Sequence, residues 1–168
     1  MTGCAALGNG GLPKDLVERA RRLCDARGQR FTPMRAAVFQ IVAGTRHPMG
    51  AYEIMDRLLA AGLEVAAPTV YRALDFLQRQ QLIHRVESLN AFMPCTQPET
   101  HHDCQFLICT GCGTTAEIEA SGMMSRLAHS ARGLGFSISD AVVELKGMCA
   151  SCRNALLALT DRAKRRPA

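Results

Sequence analysis

The sequence predicts an α+β protein in two parts, on the strength of two observations. The first half reads as four consecutive helices closed by a short hairpin, the element order of a winged helix-turn-helix. The second half carries two Cys-x-x-Cys knuckles, Cys109/Cys112 and Cys149/Cys152. Each knuckle sets two thiols on one tight turn, and two such turns facing one another make the tetrahedral four-sulfur cage of a structural Zn²⁺. Gly111 and Gly113 give flexibility to the first knuckle, and Gly147 precedes the second. A disulfide framework or a redox pair would use the same spacing.

With 168 residues the chain has room for one ordinary domain or two small ones. Apolar residues make up 48% of it, enough for a real core, and the absence of Trp makes that core aliphatic in expectation. The formal charge of +5 is compatible with a nucleic-acid partner without arguing for one. Part of that charge is local, in Lys164, Arg165 and Arg166, which are expected to form a solvated tail. No stretch approaches the roughly 18 apolar residues of a membrane helix, so no membrane partner is expected. Met1 to Leu12 lacks the basic-then-apolar order of a secretory signal. Eight cysteines without an export signal point to the reducing cytoplasm, where thiols take metal instead of pairing. Cys24 is expected in the core, and Cys4 has no assigned role.

Pro13 opens the first helix, with Leu16, Val17, Ala20, Leu23 and Cys24 at helical spacing and Gly28 as the stop. Thr32-Pro33 is a cap followed by a first-turn proline, and Met34, Ala37, Val38, Ile41 and Val42 form one apolar face up to Gly44. The third helix runs from Ala51 to Ala61, burying Ile54, Met55, Leu58 and Leu59 before Gly62. The fourth starts at Pro68 and turns Val70, Ala73, Leu74 and Leu77 inward. Leu82 to Glu87 and Ala91 to Cys95 are the hairpin strands, joined by Ser88-Leu89-Asn90. Residues 1–96 are therefore expected to form a winged-helix domain.

Gln97-Pro98-Glu99-Thr100 is polar and reads as a hinge, placed at 97–103. Residues 104–168 then carry strand-like runs at Gln105 to Cys109, Thr114 to Glu119, Phe136 to Ile138 and Val142 to Leu145. Between them lies a helix with Met124, Leu127, Ala128 and Ala131, and a last helix carries Leu156, Leu157 and Leu159. So small a unit is marginal alone, and zinc and self-association are expected to stabilise it.

Pro68 starting the fourth helix places Thr69, Tyr71 and Arg72 in its first turn, the turn that enters the major groove in a helix-turn-helix. Arg72 can give two hydrogen bonds to guanine O6 and N7. Tyr71 offers a ring face to a thymine methyl, and Arg79, two turns on, suits a phosphate. The plainer alternative packs Tyr71 into the core and leaves Arg72 a solvated charge.

Metal-capable residues remain once the knuckles are assigned. His84 lies on the first wing strand, Cys95 ends the second, His101, His102, Asp103 and Cys104 follow the hinge, and Glu117 comes after the first knuckle. A thiolate, two imidazoles and a carboxylate make a tetrahedral Zn²⁺ set. Each also has an ordinary reading: His84 a half-buried strand residue, Cys95 a core thiol, Glu117 a solvent-facing carboxylate. A metal drawing ligands from both sides of a hinge would select one interdomain angle.

Arg30-Phe31-Thr32-Pro33-Met34-Arg35, Ala51-Tyr52, Pro68-Thr69-Val70-Tyr71-Arg72-Ala73-Leu74 and the two knuckles together resemble the ferric uptake regulator family, over roughly Leu16 to Arg153. Tyr71 to Leu77 and His84-Arg85-Val86-Glu87-Ser88 look like its zinc-responsive branch. The resemblance implies a homodimer with an N-terminal winged helix and a C-terminal α/β dimerisation domain. With zinc bound, it would occupy double-stranded operator DNA and repress zinc-uptake genes. It implies two Zn²⁺ per subunit: a structural ion on Cys109, Cys112, Cys149 and Cys152, and a regulatory ion on His84, Cys95, His102 and Glu117. His101 and Cys104 stand as substitutes in the regulatory set, and Tyr71 and Arg72 fall where the family contacts bases.

Two departures separate the chain from iron-sensing members, which place histidines close before the first knuckle and another before the second. Here Cys104 follows His101-His102-Asp103, and Asp140-Ala141 precede the second knuckle. A thiolate-containing set suits zinc better than Fe²⁺. The alternative is a sister regulator sensing iron, manganese or peroxide. A zinc deaminase would need a His-x-Glu, which the chain lacks, and four sulfurs leave no open coordination position. No enzyme activity and no small-molecule substrate beyond the metal ion are therefore expected. A zinc-knuckle adaptor for protein or RNA would leave the winged-helix half without a purpose.

Overall fold

The computed structural model describes residues 13–45, 47–100, 104–119, 122–139 and 141–164. Cys4, His101, His102, Asp103, Asp140, Arg165 and Arg166 lie outside the described residues. The elements run α1 (Pro13–Ala26), α2 (Pro33–Ala43), β1 (Met49–Gly50), α3 (Ala51–Ala60), α4 (Ala67–Arg79), β2 (Ile83–Val86), a 3₁₀ turn (Glu87–Leu89) and β3 (Ala91–Pro94). They continue with β4 (Cys104–Cys109), β5 (Thr115–Glu119), α5 (Met123–Gly133), β6 (Val143–Gly147) and α6 (Ala150–Lys164). The architecture is a winged helix-turn-helix followed by a small α/β unit, as the sequence predicts.

Local chemistry sets the boundaries in the first half. Thr32 caps α2, its Oγ1 accepting the Arg35 N–H at 3.4 Å, with Pro33 in the first turn. α3 ends where Gly62 takes a φ of +79°, which a residue without Cβ adopts at no steric cost. Asn90 takes the left-handed conformation that turns the wing. One core joins α1 to α4 and the wing, with Cys24, Val38, Val42, Ile54, Leu58, Val70, Leu74 and Leu77 sealed from solvent; it is not purely aliphatic, since Phe31, Phe39, Phe76 and Phe92 are buried in it too. Arg35 lays its guanidinium 3.4 Å from the centroid of Phe76, tying α2 to α4.

The wing is a three-stranded antiparallel sheet of order β1-β3-β2. β1 is absent from the sequence reading, because two residues, Met49 and Gly50 paired with Phe92 and Ala91, carry no periodicity. The second sheet has the order β5-β4-β6, with β4 antiparallel to β5 and parallel to β6. A second core of Val86, Met93, Phe106 and Ile108 packs the wing onto β4. Ser88 donates its backbone N–H to the Glu144 carboxylate of β6 across the same contact.

The segment after β3 is held by α1 and the turn that follows it. Arg19 donates from Nε and Nη2 to the two carboxylate oxygens of Glu99, and Arg27 donates to the carbonyls of Gln80 and Pro98. Leu59 is 60% exposed instead of buried, since it projects one helical step around from the sealed Leu58. Phe136 to Ile138 forms no strand: both apolar side chains are exposed, and among the described residues no strand pairs with them. Lys164 belongs to α6, so the expected tail does not begin there. α5 buries no side chain, and Leu145, Leu156, Leu157 and Leu159 on β6 and α6 face outward. Among the described residues no helix is long and apolar enough to cross a membrane.

Candidate metal centres and nucleic-acid interface

The parallel pairing of β4 and β6 assembles the first centre. Cys109 ends β4 directly beside Gly147, so both chains leave the sheet at the same edge and their knuckles meet there. Thr110 donates its N–H to the Gly147 carbonyl at 2.7 Å, locking the register. The four sulfurs of Cys109, Cys112, Cys149 and Cys152 all lie within 4.8 Å of one another. Four Zn–S bonds of about 2.3 Å in a tetrahedron set sulfurs about 3.8 Å apart. Cys112 Sγ and Cys149 Sγ stand 3.9 Å apart, and no described cysteine is disulfide-bonded. The donor set therefore fits zinc and not the disulfide alternative.

The protonation chemistry agrees. The Cys149 N–H, 3.3 Å from Cys109 Sγ, is the first of several backbone donors that bring the Cys109 thiol down to about 6. A hydrogen bond with the Thr114 hydroxyl lowers the Cys112 thiol. Cys152 moves the other way, held up by the neighbouring sulfurs of Cys149, Cys112 and Cys109. Crowded thiolates that repel one another are a set a dication neutralises.

Two glycines make the cage possible. Gly113 sits at φ +72° and returns its N–H to the Cys109 carbonyl at 2.9 Å. A Cβ on Gly111 would stand 3.0 Å from both Cβ and Sγ of Cys152. Gly111→Ala is therefore expected to displace Cys152 and cost about 1–3 kcal/mol of strain. Faster loss of zinc to a chelator would report it, and wild-type retention would contradict it.

The second cluster lies where the wing meets the second sheet. His84 is on β2, and the β4–β5 register sets Phe106 opposite Glu117 and Cys104 opposite Glu119. Cys104 and Phe106 therefore share the face of β4 turned to the wing. His84, Cys104 and Glu117 bring one donor atom each within 4.8 Å of one another. His84 Nε2 lies 3.2 Å from Glu117 Oε1, and Cys104 Sγ lies 3.4 Å from His84 Nδ1. The Glu117 side chain is only 3% exposed, which overturns its solvent-facing reading. Its second oxygen accepts the Thr96 N–H at 2.8 Å. Phe106 shields the imidazole with ring centroids 5.8 Å apart.

Cys95 is buried at the end of the wing. Burial first, then the nearby Glu117 carboxylate, push its thiol up to about 12, and Cys104 adds to the effect. Of the four regulatory ligands expected, the structure gathers His84 and Glu117, while Cys95 is buried at the wing end outside the trio. His102 and its substitute His101 lie outside the described residues. Cys104, expected only as a substitute, is inside the trio. The Thr96 N–H was not legible in the sequence, because a backbone donor has no residue signature.

α4 buries Val70, Ala73, Leu74, Phe76 and Leu77 on one side. The opposite side presents Tyr71, 43% exposed, with Arg72 and Arg79, while Thr69 is half-buried. Tyr71 does not pack into the core.

A winged helix-turn-helix joined to a cysteine-caged α/β unit defines the class, and the family follows from it. The family model described as Ferric uptake regulator family matches residues 26–146, and the chain belongs to that family. It is similar to the zinc uptake regulation protein of Escherichia coli (strain K12), 37% identical over 142 residues that cover 83% of this chain and 82% of the relative. Among solved structures it resembles holo XcZur, at 40% identity and a TM-score of 0.77 over 83% of this chain and 98% of the other. It also resembles a zinc uptake regulator complexed with zinc and DNA, at 32% identity and a TM-score of 0.82 over 88% and 99%.

Proposed function

We propose that this protein is a zinc-responsive transcriptional repressor, a cytoplasmic homodimer without enzymatic activity that binds operator DNA when zinc is bound and silences zinc-uptake genes. The observation that carries this reading is the His84–Cys104–Glu117 cluster, which joins a wing strand to the second sheet in a chain related to zinc uptake regulators. Each subunit would hold two zinc ions. Cys109, Cys112, Cys149 and Cys152 would retain the structural one. His84, Cys95, His102 and Glu117 would hold the regulatory one, with His101 and Cys104 as alternative donors. Residues 1–96 would act as the DNA-binding unit, 97–103 as the hinge and 104–168 as the dimerisation unit. The exposed leucines of β6 and α6 support the last assignment.

Bound zinc would supply a charge that holds donors from both sides of the hinge together. His84 and Glu117 would then fix the wing against β4, and the dimer would present its two α4 first turns to successive major grooves, about 34–36 Å apart or a multiple of it. Tyr71, Arg72 and Thr69 would read bases, and the surrounding arginines would supply salt-sensitive phosphate affinity. A sulfur donor in the cluster weighs against a sister regulator of iron or manganese, whose sites favour oxygen and imidazole.

Operator binding measured with and without added zinc tests the proposal, and equal affinity in both conditions would defeat it. Arg72→Ala is expected to lose about 1–3 kcal/mol at the cognate site with little change in salt slope. A uniform loss on cognate and scrambled DNA alike would instead make Arg72 a phosphate contact.

A further inference from the structure

Cys104 is no ordinary strand residue. It starts β4 on the face turned to the wing, packs against the core of Val86, Met93, Phe106 and Ile108, and stands 3.4 Å from His84 Nδ1. His84 in turn stands 3.2 Å from a carboxylate that is 3% exposed. Sulfur, imidazole and carboxylate already lie at the separations that ligands of one ion adopt. Cys95 is buried two residues past Met93, the β3 partner of His84.

We propose that Cys104 is itself a ligand of the regulatory site, so that this site carries two sulfurs, one from β3's end and one from β4's start. The inference rests on the regulatory reading above and deepens it. With Cys104 taking the place otherwise given to His102, two thiolates, one imidazole and one carboxylate form a soft donor set that takes Zn²⁺ and Cd²⁺ and rejects Fe²⁺ and Mn²⁺. A single-sulfur site discriminates less. The second sulfur is thus the specificity-determining donor of the pair.

Cobalt is the probe, because each Co²⁺–thiolate bond adds to a near-ultraviolet charge-transfer band. Protein retaining zinc in the cage is titrated with Co²⁺ anaerobically as wild type, Cys104→Ser, Cys95→Ser and the double variant, with cage zinc measured in each as a control for folding. The expected band falls to about half in each single variant and vanishes in the double, and Cys104→Ser loses the preference for Cd²⁺ over Mn²⁺. A full band in Cys104→Ser would overturn this inference while leaving the regulatory site standing on Cys95. No cobalt uptake beyond the cage in wild type would defeat both.

Discussion

Cys149→Ser is expected to strip the cage of its zinc and, with it, the order of the second sheet and the dimer. The reason lies in how little else holds that half. Among the described residues its sealed side chains are few, chiefly Phe106, Ile108, Gln105 and Cys109 on β4, with Thr114 and Thr115 beyond the knuckle. α5 contributes none. β6 is joined to β4 in a parallel ladder whose last rung, Cys109 beside Gly147, opens directly into the cage. Structural zinc in small peptides contributes about 10–16 kcal/mol, several times what so small a core offers. The substitution leaves three sulfurs around a site shaped for four. Metal content should fall by one zinc per subunit, with a monomeric or aggregated species in sedimentation. An intact dimer of unchanged melting temperature would show that the cage is dispensable.

Cys95→Ala should act on the other centre alone. The dimer and the cage zinc are expected to survive, because Cys95 lies just past β3, a strand that pairs with β1 and β2 and not with β4 or β6. What should disappear is the response: operator affinity of the variant would no longer rise with added zinc. A ligand shifts a conformational equilibrium only through its differential affinity for the two states, so a hundredfold gain in operator affinity requires about 2.7 kcal/mol of such preference. Removing one thiolate from the set removes most of it. A Cys95→Ala protein with the full zinc-dependent gain would place the sensing elsewhere.

The two centres differ in how far the sequence reveals them. The cage is legible because its cysteines come in local pairs, and one tertiary fact, the parallel ladder of β4 and β6, is needed to join them. The second cluster draws on β2, β4 and β5, and nothing in sequence spacing says that Phe106 pairs with Glu117 or that Cys104 turns toward the wing. Its members were identifiable as donors, but their grouping required the register. The same holds for the fold. Thr32-Pro33 and Pro68 announce helices through cap chemistry, whereas the two-residue β1 has too few positions to show alternation. Phe136 to Ile138 shows the opposite failure, alternation with no partner strand among the described residues.

Arg27 touches neither cluster and does not lie on the exposed side of α4. Its two amino groups grip one carbonyl just past the end of that helix and another in the stretch that leads to the second sheet. A regulator wired this way can be deafened without losing its ear or its voice: variants that still fill with metal and still recognise their operator, yet no longer connect the two events, are to be sought along α1.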